Sequence, residues 1–320
     1  MTEARQSEQQ FCIIGAGGIG SFYASKLLSA QQRCIMVARG QRLTQLLDQG
    51  LIVSHQQRQH RTTQVLAYTL EQMCQLFQPT QFTAVLLCTK SSATKDLAAD
   101  IANWFAKWQS SCPVISLQNG IDNEATLAQL LPPQCVFGGL AVKIGAHLEP
   151  DGTVMATGPG ELILGAWPQG ALNLFPTDVI ATLVRTEIPF KVSPDIQKEL
   201  WLKLVINNGV NPISALTGLD TRTLSREEPF TAIVYGLMQE AAVAAFADGV
   251  IVTEEEVEHM FDLISNFDPI KTSMLVDYEK GRPLELAAIC GVVLARHQKL
   301  GSDAPYTRMV NALLEHRPMI

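Results

Sequence analysis

Apolar positions in the first half of the chain fall in short unbroken runs separated by amphipathic stretches. Phe11-Cys12-Ile13-Ile14, Cys34-Ile35-Met36-Val37, Leu51-Ile52-Val53, Ala84-Val85-Leu86-Leu87-Cys88 and Pro113-Val114-Ile115-Ser116-Leu117 have the length and composition of strands, the first and fourth of them buried. Between them lie helical patterns. Phe22 to Leu28 is one, and Gln41 to Gln49, stopped by Gly50, is another. Leu97, Ile101, Trp104 and Trp108 form a third, recurring at helical spacing as a core stripe. His55 to Thr63 is polar and predicts a surface hairpin. From Cys135 to Trp167 the pattern changes to short β segments with turn chemistry. Val136-Phe137-Gly138-Gly139, Thr153-Val154-Met155 and Glu161 to Gly165 predict a largely antiparallel extension of the same sheet, with Pro150-Asp151-Gly152 as a turn. A helix near Pro176 to Arg185 and a strand at Phe190 to Val192 close this half.

From Ser193 onward strand signals stop. Asp195 to Asn208 reads as a helix whose continuation Pro212 should kink. Phe230 to Ala247 reads as an alanine-rich helix closed by Asp248-Gly249, and Thr253-Glu254-Glu255-Glu256 as a capping box opening the next. Ser273-Met274-Leu275 lies on a helix that stops at Gly281-Arg282-Pro283; another runs from Leu284 to about Leu300, and the last covers Tyr306 to Glu315. The fold class is therefore α/β, a domain of alternating strands and helices followed by an all-α domain. The expected boundaries are a polar tail at 1–10, the sheet domain at 11–192 and the helical domain at 193–320, with the substrate in the cleft between the last two.

At 320 residues, two domains match the length. A composition 47% apolar and 17% charged is that of a globular protein with a sizeable core. A net charge of −7 argues against a general nucleic-acid binder, and no Lys/Arg cluster suggests a membrane patch. No apolar run approaches the length of a membrane span, and Met1 to Gln10 has no apolar signal region. The seven cysteines form no CxxC pair and the histidines no metal-ligand spacing. The expectation is a cytoplasmic protein without a metal, monomer or homodimer.

The candidate chemistry begins where the first strand meets Gly15-Ala16-Gly17-Gly18-Ile19-Gly20 and then a helical pattern. GxGxxG alone is a weak signal. Flanked by strand and helix, it predicts backbone amides that cradle a diphosphate. The second strand ends at Arg39, with Arg42 close by, where a carboxylate would bind a free ribose 2′-hydroxyl. A guanidinium suits a 2′-phosphate instead, so NADPH/NADP+ is favoured. An FAD or S-adenosylmethionine site would leave that arginine without a purpose. Lys90 and Asn119 each follow a strand and should rise on the same rim as Arg39. In the second half Lys203, Asn207 and Asn211 recur every four residues and project from one helix face. Either that face is solvated and Lys203 an ordinary surface lysine, or the three hold a small oxygen-rich anion and supply it with a proton.

With these residues assembled, the chain resembles the ketopantoate reductase (2-dehydropantoate 2-reductase) family from about residue 11 to 315. The resemblance rests on the glycine motif at 15–20, Thr89-Lys90, Gln118-Asn119-Gly120, and Glu199-Leu200-Trp201-Leu202-Lys203 through Asn207 and Asn211-Pro212. Ser273-Met274-Leu275 and Gly281-Arg282-Pro283-Leu284-Glu285 complete it. The glycine motif is common to many dehydrogenases; the lysine helix with the late serine and glutamate is far more specific. The resemblance implies a Rossmann-type domain and NADPH-dependent reduction of a small 2-keto acid on the route to pantothenate and coenzyme A. It makes Lys203 the proton donor and Asn119 a contact of both nicotinamide and substrate. Asn207, Asn211 and Ser273 would touch the substrate, Glu285 the cofactor side, and the backbone near Gly145-Ala146 the nucleotide. The chain departs from the family pattern at Ile270, Ala287 and Cys290. Two other readings stand beside this one: a sibling reductase of another 2-keto acid, and a protein that senses NADPH without turnover.

Overall fold

The computed structural model describes residues 10–168, 175–266 and 269–317. The expected polar tail at 1–10 lies outside them, apart from Gln10. The chain divides into two compact units: one runs up to Gln118 and resumes at Asn123–Ile196, and the other comprises Asn119–Asp122 and Gln197–Ile320. The four-residue turn Asn119–Asp122 thus packs with the helices rather than with the strand it follows.

The first unit contains β1 (Gln10–Ile14), α1 (Gly18–Ser29), β2 (Arg33–Val37), α2 (Gly40–Gln49), β3 (Leu51–His55), β4 (Arg58–Thr62), β5 (Leu66–Tyr68), α3 (Leu70–Leu76), β6 (Phe82–Leu87), α4 (Thr94–Trp108) and β7 (Val114–Ser116). It continues with α5 (Asn123–Ala128), β8 (Val136–Val142), β9 (Gly145–Leu148), β10 (Thr153–Thr157), β11 (Glu161–Ala166), α6 (Thr177–Val184) and β12 (Phe190–Val192). The main sheet has the order β12-β11-β8-β7-β6-β1-β2-β5. Every pairing from β5 to β8 is parallel, and β11 is antiparallel to β8. Side-chain alternation sends Phe11 and Ile13 into one apolar layer and Cys12 and Ile14 into the other. That is why β1 reads as continuously apolar. The cysteines are free, and burial pushes the Cys12 and Cys88 thiols up, the latter to about 12. They serve as small hydrophobes.

The expected single extended sheet is corrected. β8 and β11 do join the main sheet, but β9 and β10 pair with the β3–β4 hairpin in a second sheet ordered β4-β3-β10-β9. The physical reason is visible in the strands. β8 is buried along nearly its whole length, whereas β10 alternates buried Val154 and Ala156 with exposed Met155 and Thr157. A strand with one wet face belongs to a one-sided sheet. Gln56 and Gln57, with φ of 50° and 62°, make the two-residue turn between β3 and β4, the left-handed pair that tight hairpins need.

The second unit contains α7 (Ile196–Thr217), α8 (Thr221–Arg226), α9 (Phe230–Ala245), α10 (Glu254–Ser265), α11 (Ser273–Glu279), a π-helical stretch Ala287–Gly291, α12 (Val292–Leu300) and α13 (Pro305–Glu315). Both arms of the capping box between Thr253 and Glu256 are present at the start of α10. With its following turn, α9 spans Phe230–Asp248, 19 residues of mean hydropathy 1.4 in its most apolar window. By length and composition it could cross a membrane, which corrects the expectation that no run approaches that length. In this fold it packs against α8, α10, α12 and α13. Its buried Glu240 accepts from the amides of Tyr306 and Thr307 at 2.9 and 2.7 Å, capping α13.

Helix α7 continues through Pro212. Trp201, Leu204, Val205 and Asn208 form its buried stripe, each 1% exposed or less. The Asn208 amide donates to the Leu237 carbonyl at 2.8 Å and to Thr307 Oγ1 at 3.0 Å, tying α7 to α9 and α13. At the far end, the Arg317 guanidinium donates to the carbonyls of Ala215 and Leu216 and lies 4.1 Å over the Tyr278 ring. Asn208→Leu keeps the branched shape, with somewhat more volume, but removes both donors. It should lower the unfolding free energy by about 1–3 kcal/mol in urea titrations, with helix content retained by circular dichroism. Unchanged stability would show that these two bonds do not hold α7.

Candidate functional site

In the first unit the parallel strands β1, β2, β6 and β7 all end on the same edge of the sheet. β2 lies to one side of β1 and β6 to the other, so the strand order reverses at β1, the position where open sheets leave a ligand crevice. The glycine loop leaves from the end of β1. Gly15 has φ of 106°, and a Cβ there would lie 2.7 Å from the Cys88 and Thr89 backbone. A Cβ on Gly18 would lie 1.9 Å from the Ala146 carbonyl oxygen. Only glycine lets the loop pass β6 and lets β9 close over the start of α1. Gly17 is different: nothing lies within 4 Å of where its Cβ would be.

Ser21 makes the first helical bond, to the Gly17 carbonyl, at 3.0 Å. The amides of Gly18, Ile19 and Gly20 therefore have no acceptor within α1, and no side chain caps the helix. An open approach at Gly17 beside these amides fits an anionic diphosphate. Ala146, on β9, is brought to this loop by its contact with Gly18.

Arg39 is exposed and occupies the cap position of α2. Arg42 is not its companion. It turns inward, and its guanidinium donates to the Ala16 carbonyl at 2.9 Å, the Gly152 carbonyl at 2.8 Å and Ser21 Oγ at 2.9 Å. Burial lowers it to about 10, still protonated at neutral pH. Lys90 is exposed at the end of the β6 strand loop. That loop is held by Gln118, only 2% exposed, whose amide nitrogen donates to Thr89 Oγ1 at 3.0 Å and to the Lys90 carbonyl at 3.3 Å. Thr94 Oγ1 in turn donates to Gln118 Oε1 at 3.2 Å.

In the second unit α7 carries Lys203, Asn207 and Asn211 along one face, which runs from opposite the Trp201 stripe at Lys203 to its flank at Asn211. Lys203 and Asn207 are half-buried, and Asn211 is 4% exposed. Asn119 Nδ2 donates to Glu285 Oε2 at 3.0 Å, so these two predicted residues meet directly. The turn that carries Asn119 is fastened a second time. Arg296 Nη1 donates to Asp122 Oδ2 at 3.1 Å, its Nη2 reaches Asp122 Oδ1, and its Nε donates to Asp248 Oδ2 at 3.1 Å. Ser273 is exposed and opens α11, whose cap is Thr272, with its Oγ1 accepting from the Leu275 amide at 3.2 Å. Of the departures from the family pattern, Ile270 and Ala287 are exposed and Cys290 is fully buried. Among the described residues no group of three or more His, Cys, Asp or Glu converges as metal ligands would.

Sequence reasoning left Arg42, Gln118, Asp122 with Arg296, and Asn208 without a role. Asn208 had a signal, since it stands on the apolar stripe at 201, 204 and 205. The Arg296 pairs join residues far apart in the chain and had none.

Comparison with known proteins follows the same division. The sequence profile described as "Ketopantoate reductase PanE/ApbA" matches residues 11–169, and the one described as "Ketopantoate reductase PanE/ApbA C terminal" matches residues 195–317. A 2-dehydropantoate 2-reductase of Nostoc sp. is 26% identical over 307 residues, covering 93% of this chain and 92% of the relative. The solved 2-dehydropantoate 2-reductase of Geobacter metallireducens GS-15 superposes with a TM-score of 0.82 at 25% identity, covering 96% of this chain and 99% of that one. D-mandelate dehydrogenase, solved with NADH and anilino(oxo)acetate, gives a TM-score of 0.86 at 19% identity over 96% of this chain and 97% of its own, a likeness of fold alone. With both halves matched in order and the relatives covered nearly end to end, the chain belongs to the ketopantoate reductase family, an oxidoreductase with a Rossmann-type sheet unit followed by a helical one.

Proposed function

We propose that this protein reduces 2-dehydropantoate to pantoate with NADPH, in the cytoplasm, and that Lys203 is the proton donor. The observation that carries the reading is the face of α7 on which an amine and two amides stand in line, on a helix whose other side is buried core. When bound, the nicotinamide supplies the hydride that adds to the ketone carbon. The chain must then neutralise the charge that develops on oxygen. Lys203 Nζ donates a hydrogen bond to that oxygen and passes it a proton, completing the alcohol, and is reprotonated from solvent. Asn207, Asn211 and Ser273 hold the substrate's carboxylate and hydroxyl. A cation beside neutral amides binds such groups without a second charge to neutralise. Asn119 serves nicotinamide and substrate, with its amide oriented by the bond to Glu285, and Glu285 acts on the cofactor side. The amides at Gly15, Ala16, Gly17, Gly18, Ile19 and Gly20, with the Ala146 backbone, hold the diphosphate. Lys90 lies on the same rim, and Arg39 meets the 2′-phosphate.

A second reading keeps the chemistry and changes the acid. After Glu285 the chain departs from the family pattern at Ala287 and Cys290, within the π-helical stretch Ala287–Gly291, and these departures motivate a sibling reductase of another branched or hydroxylated 2-keto acid. D-mandelate dehydrogenase, solved with NADH and anilino(oxo)acetate, shares the fold.

Two variants test the assignments. Lys203→Ala should lower kcat by about 10²- to 10⁴-fold at saturating keto acid, while NADPH still quenches or shifts the protein fluorescence. Lys203→Arg should recover little, because a guanidinium keeps the charge and hardly gives up a proton. Near-normal turnover of the Ala variant at saturation would make Lys203 an anchor only. For the cofactor, the parent should prefer NADPH over NADH by about ten- to a hundredfold in affinity. Arg39→Ala should erase most of that preference with a much smaller effect on NADH. Equal use of both cofactors by the parent protein would remove Arg39 from the assignment.

A further inference from the structure

Arg42 lies behind the glycine loop, on the side away from the opening at Gly17. Its three acceptors are all neutral: two backbone carbonyls and a hydroxyl. Among the described residues no carboxylate pairs with it. Around it the packing is tight. Ala16 is 4% exposed and Ser21 is 0% exposed, and Ser21 Oγ donates to the same Ala16 carbonyl at 3.1 Å. One turn along α2, Gln45 Nε2 donates to the Pro150 carbonyl at 3.0 Å. From one helix, Arg42 and Gln45 thus hold the turn between β9 and β10, while Ala146 at the other end of that hairpin seats against Gly18.

The Ala16–Gly17 peptide is planar and trans, so its carbonyl and its N–H point in opposite directions. Arg42 and Ser21 draw the Ala16 carbonyl inward. The Gly17 N–H must then point outward, to the side where a Cβ on Gly17 would meet nothing within 4 Å. If the peptide turned over, a carbonyl oxygen would face the anion and repel it. An isolated loop has little to prevent this, since glycine on one side leaves the torsions soft. A guanidinium locked by three acceptors does prevent it, and it costs desolvation to keep there.

We infer that Arg42 is a positioning residue for dinucleotide binding: by holding the Ala16–Gly17 peptide it aims the Gly17 amide at the cofactor diphosphate and adds uncompensated positive charge behind it. The inference rests on the nicotinamide-cofactor reading above, and it assigns Arg42 to the diphosphate common to NADH and NADPH, not to the 2′-phosphate. It explains why a second basic residue near Arg39 faces inward.

The test uses the full chain as Arg42→Met and Arg42→Lys, with Arg39→Ala alongside. Dissociation constants for NADH and NADPH are read by fluorescence titration at two ionic strengths, and the Gly17 amide is followed by NMR in the cofactor-free protein. Arg42→Met should weaken both nucleotides by the same factor, on the order of tenfold or more, and flatten the dependence on ionic strength. The Gly17 resonance should move, with the Gly249 amide, far along the chain, unchanged as a control. Arg42→Lys should restore the salt dependence but only part of the affinity, because one ammonium cannot span three acceptors. Because it keeps the charge, it also serves as the folded comparison if the Met variant is unstable. Loss confined to NADPH would make Arg42 a 2′-phosphate ligand and overturn the inference. Parent-like affinity for both nucleotides, or an unmoved Gly17 amide, would overturn it as well. A parent protein that binds neither nucleotide would instead overturn the proposed function, and this inference with it.

Discussion

Backbone amides can hold an anion only where no side chain stands between them and it, and much of the sheet unit follows from that constraint. The loop after β1 is free of side-chain bulk at Gly15, Gly17, Gly18 and Gly20; three of these glycines let backbone come close, the β6 strand end at Gly15, the β9 carbonyl at Gly18 and the Gly15 carbonyl at Gly20, while Gly17 faces open space. A loop so soft needs external support. Arg42 grips it from behind, and β9 leans on it from the front. The second sheet is what brings both supports into place, since the β9–β10 turn carries the Gly152 carbonyl to which Arg42 donates. An appendage that looks peripheral in the strand order therefore acts on the centre of the unit.

The helical unit faces a different problem, which is to place polar groups on a buried helix; the Asn208 amide nitrogen finds two acceptors there, whereas its Oδ1 has no hydrogen-bond partner among the described residues. On α7 the two faces are treated separately. Asn208 points into the core and bonds Leu237 and Thr307. Its neighbours Lys203, Asn207 and Asn211 share a second face, on which the proposed chemistry depends. The turn Asn119–Asp122 is secured by two independent contacts, the Asn119–Glu285 hydrogen bond and the Arg296–Asp122 ion pair. The Asn119 side chain is thereby held in one orientation, as the role proposed for it requires.

What could be read from the chain alone was whatever is written locally. Short apolar runs gave β1, β2, β6, β7 and β8 of the main sheet but missed β5, and the run at Leu51-Ile52-Val53 is a strand of the second sheet; the 97-101-104-108 stripe gave α4, and Thr253 with Glu256 the start of α10. The glycine motif gave the loop because its strand and helix are adjacent in sequence. Partnership between distant segments was not legible. Nothing local tells β10 to pair with β3, although its alternation of buried and exposed residues does say that it belongs to a one-sided sheet. Arg42 stands only three residues from Arg39 yet faces the other way; the phase of α2, which turns one outward and the other inward, depends on where the helix begins. The affiliation of Asn119 with the helices rests on Arg296 and Glu285, both more than a hundred residues away.

The central claim is catalytic: a nicotinamide-dependent reduction of a 2-keto acid by this chain. It is tested most directly by following NADPH oxidation by the unmodified protein against a panel of 2-keto acids that includes 2-dehydropantoate. Oxidation that depends on the keto acid, with 2-dehydropantoate giving the highest kcat/KM, is the predicted result. Tight NADPH binding with no oxidation for any member of the panel would contradict it and leave a nucleotide-binding protein without turnover.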